Sequence, residues 1–406
     1  LAFGLDKLAS INPFGGGGIV AIDFGSQALK ALQVTPGEPG QLVAAACLQT
    51  PPELANDANK RFEFQCDQLP TLMKSAAFRA KRAVVAIPAS QMFSKHLQVQ
   101  PVERQTIEQA AAQMIAAQLG CDESQLVTRC TVVAGANVTG KTEVIGLATA
   151  SGLVTRVMQA LKGAKLEVVG MQSEFAALLN AFRPVNRRTT DKDLTTLYLD
   201  IGAGSTKVAI GHATDLVFAK AFSMGGRFLD QCVAQQAKCS QQEARALRMG
   251  LTTLSRPKAA APPAPTEDPG LAAMNAAMRA QGATATAQQT TPAQAAHQLA
   301  SSSPASAIDL TDSLRALTDE IALCLRYYET IFPGRAVGRA IFVGGESRHV
   351  PLCQHIARTL RLPAHAADPL ARIARTGQEP CAGVDLTQPQ PGWAVPMGLL
   401  NAPTDC

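Results

Sequence analysis

Two segments about half a chain apart repeat one pattern, and that repeat restricts the fold more than any other feature. Ile19-Val-Ala-Ile-Asp23-Phe-Gly25-Ser26-Gln-Ala-Leu-Lys30 returns in outline as Leu197-Tyr-Leu-Asp200-Ile-Gly202-Ala-Gly204-Ser205-Thr206-Lys207-Val. Each is an apolar strand that ends in Asp-x-Gly, followed by a hydroxyl residue and a lysine. Glycine lets backbone N–H groups turn around an anion, a hydroxyl adds a donor, and an aspartate can hold a hydrated divalent cation. One such hairpin also describes an ordinary turn. Two of them predict paired domains closing on a single polyphosphate.

A third element follows the same logic. Ala340-Ile-Phe-Val-Gly344-Gly345-Glu346-Ser347 is an apolar strand running into a glycine pair, with a helical pattern from Val350 to Leu360. A chain of 406 residues has room for two substantial cores. Its composition, 47% hydrophobic and 17% charged, is that of a globular protein. Aromatics reach only 4%, which argues against a stacking surface for nucleic acid strands. Arg183, Arg187, Arg188 and Lys192 form the densest basic stretch, read as a solvated connection between domains. The cysteines show no C-x-x-C pair or Cys/His ligand spacing, which fits a reducing compartment and excludes a zinc framework. No apolar run is long enough to span a bilayer, and Leu1 to Gly18 has no signal-peptide pattern. A cytoplasmic protein is expected.

Along the chain, residues 1–18 read as a flexible lead and 19–182 as a first domain. Strands are expected at 19–24, 29–34, 42–49, 82–87, 93–99, 126–134, 143–150 and 166–170, with helices at 102–119, 152–161 and 173–182. Residues 183–400 form a second domain that repeats the opening with strands at 196–201, 206–211 and 215–222. The segment 255–306 is rich in Ala, Pro, Gln, Ser and Thr and is expected to be a disordered insertion. After it, Leu310, Leu314, Leu317, Ile321, Leu325 and Tyr328 mark one helix face.

Gly135-Ala-Asn-Val-Thr-Gly140-Lys141-Thr142 matches the P-loop pattern letter for letter. A working P-loop must open a helix whose N-terminus faces the phosphates. The residues that follow, Glu143-Val-Ile-Gly-Leu-Ala-Thr-Ala150, are β-rich, so the glycines are assigned to a hairpin turn instead.

The order of the two hairpins and the glycine pair resembles the actin-like ATPase superfamily. Within it, Ala83-Val-Val-Ala-Ile-Pro88, Leu161-Lys-Gly-Ala-Lys-Leu-Glu-Val-Val-Gly170-Met-Gln-Ser-Glu174, Phe222-Ser-Met-Gly225-Gly226, Leu325-Arg-Tyr-Tyr328 and Trp393-Ala-Val-Pro-Met-Gly398 are similar to the PilM family of type IV pilus assembly proteins. The resemblance covers nearly the whole chain. It implies an α/β protein with two actin-like lobes of ribonuclease H-like repeats, and a small inserted subdomain at about 89–165 of the FtsA/PilM type. It also implies ATP and Mg²⁺ in the cleft, and attachment to the inner membrane through the cytoplasmic N-terminal peptide of a PilN-like protein, with other pilus assembly proteins nearby. FtsA carries a C-terminal amphipathic helix; Asn401-Ala-Pro-Thr-Asp-Cys406 offers none, which favours PilM.

On this resemblance, Asp23 and Asp200 hold Mg²⁺ through water. Gly25, Ser26, Gly202, Gly204, Ser205 and Thr206 donate to phosphate, and Lys30 adds a point charge. Gly344, Gly345 and Ser347 receive the nucleoside. Lys207 is expected to face solvent. Glu174 stands where relatives orient the attacking water, against a competing reading in which Ser173 and Glu174 simply cap a helix. One departure is Arg245, placed where the family carries a glutamate for the ribose; Glu346 adds an acid after the glycine pair. Three classes stay open: a nucleotide-dependent scaffold with at most slow ATPase activity (in pilus or related type II secretion assembly), a vestigial actin-like interaction module or FtsA-like division protein, and a small-molecule kinase.

Overall fold

The computed structural model describes residues 18–101, 105–133, 140–184, 193–252, 254 and 308–401. The expected lead (apart from Gly18), the 255–306 insertion, the basic residues Arg187, Arg188 and Lys192, and Gly135 to Val138 with Thr139 of the P-loop match lie outside the described residues. The chain divides into two units, one running to Phe228 and resuming at Arg315, the other Leu229–Leu314.

In chain order the strands are β1 (Ile19–Phe24), β2 (Ala28–Val34), β3 (Leu42–Gln49), β4 (Arg82–Ile87), β5 (Phe93–Val99), β6 (Leu126–Val132), β7 (Thr142–Ala150) and β8 (Glu167–Ser173). They continue with β9 (Thr195–Ile201), β10 (Thr206–His212), β11 (Asp215–Phe222), β12 (Arg339–Val343), β13 (Ala364–Ala366) and β14 (Cys381–Ala382). The helices are α1 (Ala58–Ser75), α2 (Ile107–Leu119), α3 (Ser151–Gly163), α4 (Glu174–Phe182), α5 (Gly226–Ala237), α6 (Gln241–Gly250), α7 (Thr311–Ile331), α8 (Val350–Leu360) and α9 (Ala394–Asn401).

The first unit is built on a repeated sheet. One sheet runs β14-β3-β2-β1-β4-β8 and another β11-β10-β9-β12-β13. In both, an antiparallel meander of three strands is extended on its first strand by a parallel neighbour, β4 on β1 and β12 on β9. The strands are apolar on both faces because helices cover them, which is why they read as continuous hydrophobic runs. Phe62, Leu69 and Leu72 of α1 and Leu153, Val157 and Leu161 of α3 pack on one face of the first sheet. Burying each such side chain is worth about 1.5–3 kcal/mol.

β5, β7 and β6 form a separate antiparallel sheet with its own core, in which Leu97, Val99, Val144 and Ala148 meet Ala111 and Ile115 of α2. Thr106 and Gln109 close a capping box at the start of α2, and Gly120 ends it in the left-handed conformation. Thr142 begins β7, paired antiparallel with β6, so Gly140 and Lys141 lead into a strand and a P-loop is excluded.

In the second unit, Ser240 and Glu243 box the start of α6. The fully buried Arg248 donates through Nε to Asp230 Oδ1 at 2.6 Å, and Arg245 Nη1 lies 3.7 Å from Asp230 Oδ2. Leu310 N donates to Leu254 O, joining the two ends of the span that is not described.

Two packing details generate tests. Gly398 of α9 lies directly on the backbone of α4, where a methyl group would collide with Ala177 O. Gly398→Ala is expected to lower the urea unfolding free energy by about 3 kcal/mol, because backbone must move to relieve the contact. On β5, His96 stacks on Phe218 of β11 at 5.0 Å and meets the Tyr327 ring edge at 5.9 Å, and neither ring nitrogen has a hydrogen-bond partner. Burial lowers its pKa from 6.5 to about 4. Between those two values the unfolded chain binds a proton that the folded chain refuses, so stability falls as pH drops through the window. Urea melts at pH 7 and pH 5 should differ by about 2 kcal/mol more in the wild type than in His96→Phe.

Candidate functional site

The register of the two hairpins creates the site. In the first, Asp23 on β1 faces Lys30 on β2; in the second, Asp200 on β9 faces Lys207 on β10. The turns close in the same way, with Gly25 N donating to Ala28 O at 3.1 Å and Gly202 N to Ser205 O at 2.9 Å. Those two amides therefore serve the turn. The hairpin tips meet directly: Gly204 N donates to Ser26 Oγ at 3.1 Å, and Arg227 Nη1 donates to Ser26 O at 3.2 Å. A Cβ at Gly204 would displace the Arg227 guanidinium from this contact.

The glycine pair and the closing segment complete the enclosure. Gly344, at φ +91°, packs where a side chain would strike Ile201 O and Asp200 Oδ1. Its N–H donates to Pro391 O at 2.9 Å, and Lys30 Nζ donates to Gly392 O at 2.5 Å. Gly392 also lies beside Gly345. Thr206 Oγ1 donates to Met224 O at 2.7 Å and Ser347 Oγ to Val343 O at 2.5 Å, so both hydroxyl protons hold backbone in place. Glu346 is fully buried with its carboxyl against Gly226, the first residue of α5, where the helix N-terminus favours an anion.

The sequence expectation for Lys207 is overturned. Its ammonium is buried, 2.7 Å from Asp200 Oδ2 and 3.0 Å from Glu174 Oε1. Solvent was expected because the resembled family uses the lysine of the first hairpin, but β10 is buried along nearly its whole length and Lys207 with it. Burial alone would lower the lysine pKa; Asp200, Glu174 and Asp23 outweigh it and raise it, so the side chain stays charged. Burial pushes the Glu174 carboxyl up, and Lys207 opposes that shift. Ser173 caps α4 by accepting from Ala176 N at 3.1 Å, while Glu174 turns away and accepts from Ala89 N at 2.6 Å through Oε2. Both Glu174 oxygens are thus engaged.

Lys207 and Arg227 are the residues that the motif left out. The seven-residue step from aspartate to lysine, identical in both hairpins, is the signal that could have placed Lys207 beside Asp200. Around the crevice, Asp23, Glu174 and Asp200 are balanced by Lys30, Lys207 and Arg227.

This set suits an anion, with Lys30 and Arg227 flanking two glycine turns. It does not suit a divalent cation shared by Asp23 and Asp200. A doubly charged ion about 4 Å from the Lys207 ammonium would meet roughly 8 kcal/mol of repulsion at an effective dielectric of 20, which offsets the attraction of one of the two carboxylates at the same distance. Among the described residues no group of three His, Cys, Asp or Glu side chains is arranged to hold a metal ion.

The chain matches the family model described as type IV pilus assembly protein PilM over residues 21–252, more than half its length. No curated protein matches it. Among solved structures it is similar to a PilM–PilN type IV pilus biogenesis complex, with TM-score 0.65, 19% identity, and 94% of this chain and 97% of that one covered. The ethanolamine utilization protein EutJ from Carboxydothermus hydrogenoformans gives TM-score 0.44 at 13% identity, covering 94% and 88%. MreB 5 of Spiroplasma citri bound to AMPPNP gives 0.45 at 10%, covering 94% of each. The fold is actin-like.

The buried triad yields an ordered pair of expectations. Lys207→Met strands two carboxylates without their cation and should cost about 3–5 kcal/mol, whereas Glu174→Gln leaves Lys207 paired with Asp200 and should cost about 1 kcal/mol. Urea melts of the two variants measure the difference.

Proposed function

The chain belongs to the PilM family of type IV pilus assembly proteins, and from that membership we propose that it is a nucleotide-responsive scaffold holding the cytoplasmic N-terminal peptide of a PilN-like inner-membrane protein. The observation that carries the nucleotide half is the tip-to-tip contact of two like hairpins, Ser26 Oγ to Gly204 N, with Lys30 and Arg227 beside it. A triphosphate, ATP on the family resemblance, would part the tips and take over their donors: the Gly204 N–H, the Ser26 and Ser205 hydroxyls, and the two cations. Gly344 and Gly345 would let the nucleoside lie against backbone. In this reading the two hairpin-bearing sheets belong to lobes at 19–182 and 183–400, with the subdomain at 89–165 inserted in the first, and closure of the tips changes with ligand.

The peptide half is supported by the likeness to a PilM–PilN complex. No helix among the described residues is long and apolar enough to cross a membrane, so a peptide-bearing partner would supply the attachment to the inner membrane. Arg245, which replaces the ribose-directed glutamate of relatives, lies near Asp230 and offers no carboxylate for a sugar hydroxyl. Phosphate contacts would then dominate affinity over base or sugar contacts.

A second reading, a clamp that binds nucleotide without hydrolysing it, is favoured by the engagement of both Glu174 oxygens. A carboxylate so held has about half of its acceptor positions taken and is tied at both oxygens, which leaves it less free to swing toward a water.

Isothermal titration should give one ATP per chain, with Lys30→Ala and Arg227→Ala each weakening it by about tenfold or more. Equal heats for the three proteins would remove the nucleotide reading. Capture of a PilN-like N-terminal peptide that is indifferent to ATP would remove the coupling.

A further inference from the structure

The two hairpins carry their lysines at the same register position but in different surroundings. Lys30 lies 3.5 Å from Asp23 and makes its short bond to the Gly392 carbonyl. Lys207 makes no such backbone excursion. Its ammonium sits between Asp200 Oδ2 at 2.7 Å and Glu174 Oε1 at 3.0 Å, with the field of Asp23 also acting on it. These are the same three carboxylates that would otherwise draw a divalent ion into the crevice. Glu174 comes from α4, which follows the first sheet, and Asp200 from the second sheet. A cation between them is therefore needed to join the two, and here it is covalently part of the chain.

An ammonium donates three hydrogen bonds and carries one charge. A hydrated Mg²⁺ brings two charges and six ligand positions near 2.1 Å, and keeps most of its waters. The space beside Asp200 is narrowed further by Gly344, whose backbone lies against Asp200 Oδ1. With one carboxylate oxygen on Lys207 and the other against Gly344, Asp200 has little left to offer a water shell.

We propose that Lys207 is the resident cation of this crevice, standing where a divalent ion would have to sit, so that the chain takes a nucleoside triphosphate without requiring a divalent metal. The nucleotide half rests on the reading given above; the metal half does not. Lys30 and Arg227 are the further charges that a triphosphate would meet, while Lys207 is held between Asp200 and Glu174. Asp23, Glu174 and Asp200 are not arranged as metal ligands while the ammonium stands among them, and removing the lysine charge should let them close on a divalent ion instead.

The test separates the two halves. Electron paramagnetic resonance of free Mn²⁺ counts ions bound to the intact chain with no nucleotide present. The wild type should bind no Mn²⁺ that is lost on Asp200→Asn, whereas Lys207→Gln should bind one, and its lowered melting temperature should rise with added Mn²⁺ or Mg²⁺. One Mn²⁺ bound by the wild type and lost in Asp200→Asn overturns the proposal, as does a folded Lys207→Gln that binds none. If Lys207→Gln does not fold, the wild-type count decides alone. Titration of ATP into the wild type should give affinities in EDTA and in Mg²⁺ within about threefold of each other, and a loss beyond about tenfold in EDTA overturns it. Absence of ATP binding under both conditions removes the nucleotide reading and leaves the Mn²⁺ count to decide the role of the lysine.

Discussion

One buried charge ties the second sheet to the helix that follows the first. Lys207, on the second hairpin, is held by Asp200 of its own sheet and by Glu174 at the start of the helix that follows the first sheet. A buried charge pair contributes little net stability compared with apolar packing, because each ion must first be stripped of water. Its value is in specificity: three groups at 2.7–3.0 Å accept only one relative placement of β9, β10 and α4. The apolar contacts around it, such as Phe182 stacked on Tyr198 at 5.4 Å, are less demanding of position. The polar triad sets the alignment and the aromatic and aliphatic packing supplies the energy.

The same alignment explains why the repeat was visible in sequence while its consequence was not. An apolar strand ending in Asp-x-Gly is a local pattern, and the strands at 19–24, 42–49, 82–87, 93–99 and 215–222 have the bounds that pattern gave. The stripe from Leu310 to Tyr328 likewise became α7. Helix α1 escaped notice because Pro70 interrupts it and its exposed face is strongly polar, so periodicity alone offered only Phe62, Leu69 and Leu72. The expected helix at 102–119 begins at Ile107, where Thr106 and Gln109 provide the cap. Lys207 was misjudged because the resemblance assigns a role only to the first hairpin's lysine, whereas a sheet covered on both sides leaves the second lysine no water to face.

Within the site, the legible part was backbone chemistry and the hidden part was side-chain company. Gly344 is demanded by its positive φ and by a carbonyl and a carboxylate that no single sequence displays, and at Gly204 a side chain would displace the Arg227 guanidinium. Arg227 follows the Gly225–Gly226 step and gives no hint in sequence that it will reach back to Ser26. The hydroxyls of Thr206 and Ser347 fit a nucleotide pattern by type, yet both donate to backbone carbonyls, bracing the loop before α5 and the turn after β12. Residue type suggests what a group can do, and the fold decides which of its partners is within reach.

A fixed cation and a bound ion are not equivalent solutions to the same electrostatic problem. An ion leaves with product or is exchanged with solvent, so a crevice that depends on one changes its charge through the ligand cycle. Lys207 cannot leave, and its three carboxylate neighbours keep it protonated across the physiological range. Together with Lys30 and Arg227 it matches the charges of Asp23, Glu174 and Asp200, so the crevice has no excess negative charge to force its walls apart. Direct contact of the hairpin tips, Ser26 to Gly204, is compatible with such neutrality and would be opposed by three uncompensated carboxylates. On the proposed nucleotide reading, a scaffold whose hairpin tips already touch without ligand would respond by opening at the tips, because the charges that would draw the ligand, Lys30 and Arg227, lie beside that contact.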